Sequence, residues 1–174
     1  MNSKAHRPEA RSGIRTSRIT PNILLDKVFT FPDGLPAFEE VHHFMFACKP
    51  ETAPFVFMRA LEPAHLGFVC IDPFTICPGY KLNLSDGDTS FLDLSKPEEA
   101  LILSIVTPSP DVHLTTANLQ SPLIINLRNC RCRQIIGADL NLPVRYSIWE
   151  ALKSMSQMTP VLNAPDVEAK CSAA

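Results

Sequence analysis

The sequence predicts a mainly β domain, a small antiparallel β-barrel or roll of nine to ten short strands with one or two short helices. Three observations carry that expectation. Sixteen prolines stand against six glycines, and they are spread from position 8 to position 165; a helix interior rejects Pro at about 3 kcal/mol, so few windows remain for long helices. The apolar segments are short, and Pro, Gly, Asp or Asn turn signals bound each of them. At 174 residues, 45% hydrophobic and 20% charged, the chain fits one globular domain that can bury a real core.

Taken in order, residues 1–21 read as a disordered basic arm, residues 22–150 as the β domain and residues 151–174 as a short helix with a flexible tail. The first strand candidate is Ile23 to Phe31, whose second half alternates. His43 to Cys48, Phe55 to Leu61, Leu66 to Ile71 and Tyr80 to Leu84 follow. Ala100 to Thr107 is the next candidate, and its Ala100 to Val106 is an apolar run broken only by Ser104, the pattern of a strand covered on both faces, which marks the centre of the core. His113 to Leu119, Leu123 to Leu127, Arg133 to Ile136 and Val144 to Trp149 complete the series, at the spacing of a barrel or sandwich. Between strands, Asp88 to Leu94 and Lys96 to Ala100 each fit about one helical turn, the latter with Ser95 as N-cap and Pro97 in its first turn. Ile148, Leu152 and Met155 recur at i, i+4 and i+7, which predicts a short amphipathic helix ending before Pro160.

Charge is unevenly placed. Residues 1–20 hold five basic residues against one acidic, residues 21–150 nine against fifteen, and residues 151–174 two against two. The formal net charge of −2 therefore divides into a basic arm and an acidic core. An acidic core repels phosphate backbones, whose binding needs several Lys or Arg contacts, so direct nucleic-acid binding by the core is disfavoured. A basic protein partner is favoured instead. The basic arm leaves a third class in view, a small nucleic-acid-binding barrel working through residues 1–20. No apolar run approaches the roughly 20 residues of a membrane span. The N-terminus has no apolar export segment, so the six cysteines are expected to be reduced thiols in the cytoplasm.

Signatures of chemistry are sparse. The glycines never come closer than eight residues apart, which excludes Walker and dinucleotide loops, and neither G-x-S-x-G nor H-E-x-x-H occurs. Cys130 and Cys132 flank Arg131 and invite a metal reading, but no second Cys or His pair at suitable spacing completes a four-ligand site. An enzyme with a Cys nucleophile or metal centre would have to use Cys130, Cys132 or Cys70 with His65 or His113. The acidic segment Asp86, Asp88, Asp93, Glu98 and Glu99, relieved only by Lys96, reads as helix caps and solvated turns or as a docking face for a basic partner, and Glu39 is a further exposed acidic candidate.

Several stretches have a recognisable form. Phe31-Pro32-Asp33-Gly34-Leu35-Pro36-Ala37-Phe38-Glu39 resembles the opening motif F-x-x-G-L-P-G-F-E of the FliW family of flagellar assembly factors. Phe68 to Phe74, Pro78-Gly79-Tyr80 and Thr116 to Asn126 are similar to that family's later signatures and stand in the same order, so the resemblance covers residues 24 to 149. Gly34 suits a positive-φ turn that Pro36 stiffens, with Phe38 aimed inward and Glu39 exposed. Asp72-Pro73 suits a strand end. Asn118 and Asn126 suit turns that bracket a strand pair. Ala37 departs from the pattern, since a left-handed backbone there would be strained. Met58-Arg59-Ala60 stands in place of L-Q-S, and Leu142 to Ile148 matches the closing motif only in part.

The resemblance implies a non-enzymatic cytoplasmic regulator without a cofactor. Such a protein, expected to be a monomer, binds the RNA-binding translational repressor CsrA, relieves its block on flagellin mRNA, and also binds flagellin. The acidic segment 86–99 is the expected CsrA face, and an apolar groove the expected seat of flagellin helices.

Overall fold

The computed structural model describes Leu24, residues 26–137 and residues 141–158. The expected basic arm, 1–21, and the expected tail beyond Met158 lie outside the described residues. Among the described residues nine antiparallel strands form one roll: β1 (Phe29–Thr30), β2 (His43–Cys48), β3 (Phe55–Ala60), β4 (Gly67–Ile71), β5 (Ala100–Thr107), β6 (Thr116–Ala117), β7 (Leu123–Asn126), β8 (Cys132–Gln134) and β9 (Tyr146–Ser147). The path runs β1-β2-β3-β4-β5-β6-β9, and β5 also pairs with β7, which pairs with β8. Among the described residues no ladder closes the roll. At the seam the Thr30 N–H donates to the Cys130 carbonyl at 2.8 Å, and Thr30 bridges Arg131.

Alternation on β2 and β3 sets the two faces. Phe44 and Phe46 on β2 and Val56, Met58 and Ala60 on β3 point into the roll, where they meet Phe29, Cys70, Leu101, Leu103, Leu123, Ile125 and Cys132. Phe29 packs edge-on against Phe46 at 5.0 Å and Phe31 against Phe44 at 5.3 Å, the geometry the ring quadrupole prefers. A second core lies on the outer face of β4 to β7 and contains Ile71, Ile76, Tyr80, Leu82, Leu92, Ile102, Ile124 and Ile148. Strand β5 serves both: Leu101 and Leu103 face the interior while Ala100, Ile102 and Val106 face the outer core. This is the doubly covered strand its apolar run predicts.

Among the described residues three helices cover the outer core: α1 (Pro73–Ile76), α2 (Asp86–Leu92) and α3 (Trp149–Met158). Helix α2 starts two residues before the expected turn because Ser85 caps it, its Oγ accepting from the Asp88 N–H at 3.1 Å. Helix α3 continues from the buried Ile148 and turns Leu152 towards the core; the Met155 side chain lies outside the described residues.

Four expectations need correction. Tyr80 to Leu84 forms no strand, and it buries Tyr80 and Leu82 in the outer core instead. His113 to Leu119 is split, with a 3-10 turn at Val112–Leu114 before the two-residue β6. The turn at Pro97–Glu99 is capped at Lys96 and not at Ser95; the Glu99 carboxylate accepts from both the Ser95 and Lys96 N–H groups. Helix α1 is additional to expectation. Asp72-Pro73 does end β4, and the Asp72 carboxylate then accepts from the Phe74 N–H at 2.8 Å, so that stop also starts one helical turn.

Candidate protein-binding surface

The loop between β1 and β2 is a clasp built on backbone geometry. Gly34 has φ of +65°, and a Cβ there would sit 2.4 Å from the Glu39 carbonyl oxygen. Leu35 and Phe38 exchange backbone hydrogen bonds across the tight turn at Pro36-Ala37, and Ala37 takes φ of +68°. The Glu39 carboxylate accepts from the Ala37 N–H at 2.9 Å. The inward direction expected for Phe38 is not found. Leu35 takes the buried position, while Phe38 stays 38% exposed and rests edge-on against Phe68 at 5.6 Å.

The acidic segment is largely occupied within the chain. Asp93 pairs with Arg128 at 2.6 Å, and Arg128 also reaches Glu99 at 3.6 Å. Asp88 and Asp33 both hold Arg133, at 3.3 and 3.2 Å. The hydrogen bond from Arg128 to Asp93 raises its already high pKa, and the charge of Asp93 adds to the effect. Arg131 and Arg133 stack on Phe91 of α2, 4.5 and 4.2 Å from the ring centre. These arginines come from the β7–β8 hairpin, far along the chain from α2, so the sequence places the carboxylates without their partners. Among the described residues, Asp86 and Glu98 are exposed acidic candidates without an ion pair.

Asn126 holds this region from below. Fully buried, its amide donates to the Leu92 and Asp93 carbonyls at 2.9 and 3.0 Å and its oxygen accepts from the Arg128 N–H at 2.9 Å. Asn118 closes the other turn, its oxygen accepting from the Gln120 and Ser121 N–H groups. Both turn roles expected of these residues are present.

An apolar surface that the sequence reading did not single out lies on the outside of β2 and β3. The register aligns Ala47, Phe57, Val69, Val106, Ala117 and Tyr146 across six strands on one face. From Val69 onward this row belongs to the outer core. At Phe57 and Ala47 the cover ends, leaving Phe57 37% exposed and the neighbouring Met45 38% exposed. A groove of about 350 Å³ beside it is lined by Phe57, Arg59, His65, Gly67 and Val69 among others. A readable signal existed: His43–Cys48 and Phe55–Ala60 carry apolar residues at their outward positions as well as their inward ones.

The FliW protein family model matches residues 14–148, most of the chain. The chain belongs to the FliW family. It is 38% identical over 146 residues to the flagellar assembly factor FliW of Moorella thermoacetica, covering 83% of this chain and 90% of that one. It is 33% identical over 132 residues to FliW of Caldicellulosiruptor saccharolyticus, covering 76% and 86%. A crystal structure of the flagellar assembly factor FliW superposes with a TM-score of 0.66 at 29% identity, over 71% of this chain and 86% of that chain.

Within this FliW fold Cys70 and Cys132 lie apart from the histidine candidates. Cys70 and Cys132 point into the roll, His65 lies exposed on the β3–β4 turn, and His113 rests edge-on against Trp149 of α3 at 4.3 Å. Among the described residues no group of three His, Cys, Asp or Glu is placed to hold a metal ion. Burial pushes the Cys70 thiol up to about 12. Burial, with a smaller contribution from Cys130, raises that of Cys132 well above the usual range. Burial of both thiols disfavours the charged thiolate form. No helix among the described residues is long and apolar enough to cross a membrane.

Proposed function

We propose that this flagellar assembly factor works in the cytoplasm as a non-enzymatic regulator that needs no cofactor. It binds CsrA, relieving repression of flagellin mRNA, and it binds flagellin, acting by exchange of protein partners. Membership of the FliW family carries the reading, and an apolar face left uncovered on an otherwise well-packed sheet supports it, because exposed apolar patches of this kind serve protein contacts. The acidic segment 86–99 is the proposed CsrA face. Asp86 and Glu98 are its open carboxylates, since Asp88, Asp93 and Glu99 already hold arginines.

The test is a calorimetric titration of the full chain with CsrA and with flagellin encoded in the same genome, followed by competition. Each partner is expected to bind, and flagellin to displace CsrA. The Asp86→Asn, Glu98→Gln double variant should bind CsrA more weakly and with a flatter salt dependence. No binding of either partner by the unaltered chain would overturn the functional reading, whereas unchanged CsrA affinity in the double variant would overturn only the site.

A further inference from the structure

The described cysteines are free thiols, and the register leaves two of them side by side. Cys48 and Cys70 share one row but stand on either side of Val56 on β3, so two strand spacings, about 10 Å, part them. Cys70 meets β5 at Ile105, whereas Cys132 is tied through Ile125 to Leu101, about 13 Å away along that strand. Cys77 belongs to the outer core. Cys130 and Cys132 are separated by Arg131 alone and pack on the same inner core. Their surroundings differ in the way a redox pair needs. Cys132 is fully buried on β8, its Sγ 3.7 Å from the Cys130 carbonyl oxygen, while Cys130 is half-buried at the end of the β7–β8 turn. One thiol is open to a reagent in solution; the other is shielded but lies two residues away.

Cα atoms two residues apart are at most about 7 Å from one another, and a disulfide spans about 4.4–6.8 Å, so a small drawing-in of the chain joins the pair. The backbone that must move is the one that holds the seam and the arginines. Cys130 has φ of +60°, its N–H donates to the Asn126 carbonyl at 2.8 Å, and its carbonyl accepts from the Thr30 N–H at 2.8 Å. Arg131 lies inside the ring that the bond closes; its carbonyl accepts from the Asn126 N–H at 2.9 Å and its guanidinium rests on Phe91 of α2. Arg133, next after Cys132, holds Asp33 and Asp88.

We propose that Cys130 and Cys132 form a reversible disulfide by exchange with a small-molecule disulfide such as oxidised glutathione, and that its closure loosens the β1–β8 seam and the arginine contacts of α2. Cys130 loses its proton to solvent and attacks one sulfur of the reagent; the reagent's S–S bond breaks and one thiol leaves. Cys132 then loses its proton and attacks the Cys130 sulfur, and the second thiol leaves. The two cysteines give up two electrons, and one disulfide is reduced to two thiols. The ring is short and its closure strains the turn, which makes the bond readily reducible. The inference goes beyond partner binding and stands whichever protein this chain binds.

The experiment treats the reduced, 15N-labelled full chain with oxidised glutathione in native buffer, quenches in acid, and alkylates the remaining thiols before mass spectrometry. Trypsin cuts after Arg131, between the two cysteines, so a Cys130–Cys132 bond holds fragments 129–131 and 132–133 together until a reductant is added. The expected product is lighter by two hydrogen atoms, carries that link, and returns to the starting mass with dithiothreitol. Amide shifts are expected at Thr30, Phe91 and Arg131. Cys132→Ala should stop at a mixed disulfide on Cys130, heavier by one glutathione, and Cys130→Ser should lose both adduct and link. The link itself is read on the unaltered chain, so the test holds even where a variant folds poorly. Free Cys130 and Cys132 after full exposure to the reagent, a link to any other cysteine, or a link that forms only in urea would overturn the proposal. A link without shifts at Thr30 and Phe91 would overturn its coupling to the seam and to α2.

Discussion

Two substitutions three residues apart in the β1–β2 loop should change stability in opposite directions. Gly34 and Ala37 both hold positive φ, at +65° and +68°. A left-handed backbone costs an L-residue about 1–2 kcal/mol, and glycine avoids that cost. At Gly34 an added Cβ also meets the Glu39 carbonyl oxygen at 2.4 Å, its Cα at 2.6 Å and its carbonyl carbon at 2.7 Å. All three are backbone atoms, so the loop itself must shift, at about 1–3 kcal/mol if it behaves as an overpacked core. The lower unfolded-state entropy of Ala returns about 0.4–1 kcal/mol. Gly34→Ala should therefore destabilise by about 2–4 kcal/mol. Ala37→Gly releases the left-handed cost, keeps the N–H that Glu39 accepts from, and surrenders the same entropy, for a net gain of about 0.5–1 kcal/mol. Urea unfolding followed by tryptophan fluorescence and far-UV circular dichroism measures both. The expected pair is a midpoint lowered by about 1–2 M for Gly34→Ala and a slightly raised one for Ala37→Gly, at unchanged m. A destabilised Ala37→Gly or a neutral Gly34→Ala would refute the account of this loop.

Further outcomes concern the core and its buried polar groups. Asn126→Ala removes two donors aimed at the Leu92 and Asp93 carbonyls and the acceptor for the Arg128 N–H, and should cost about 2–3 kcal/mol by thermal or urea unfolding. Phe46→Ala should cost about 3–5 kcal/mol, whereas Phe57→Ala, at a position 37% exposed, should cost about 1 kcal/mol or less; similar losses would contradict the assignment of the two faces. Cys70 shifts from 9.0 to about 12 on folding, so its contribution is complete below pH 9 and is lost as the unfolded chain sheds the proton the folded chain keeps. Stability should fall above pH 9 by about 1.4 kcal/mol per pH unit from this thiol, and urea midpoints at pH 8, 9 and 10 should show a shallower fall in Cys70→Ala.

Much of the architecture can be read from local pattern, because short-range chemistry decides it. The alternation in His43–Cys48 and the apolar run that opens Ala100–Thr107 carry the bounds of β2 and β5, and Ile148 with Leu152 anticipates α3. Asp72-Pro73, Asn118 and Asn126 act as turn residues because their side-chain and ring constraints operate within two or three residues. Tyr80 to Leu84 fails as a strand for a related reason. Alternation reports which side chains are buried, and a chain laid flat on a sheet shows the same period as a chain within it.

What only the tertiary structure decides depends on contacts between distant segments. The carboxylates of 86–99 look like an open acidic face until the β7–β8 hairpin brings Arg128 and Arg133 against them. Phe38 looks like a core residue until the turn at Pro36-Ala37 gives that place to Leu35. The apolar row from Tyr146 to Ala47 exists only in the register of six strands, and its bare end at Phe57 exists only because the helices cover the other end. Composition and period fix how much apolar surface a chain must hide. Which part remains unhidden, and beside which charge, is set by long-range pairing that no local pattern encodes.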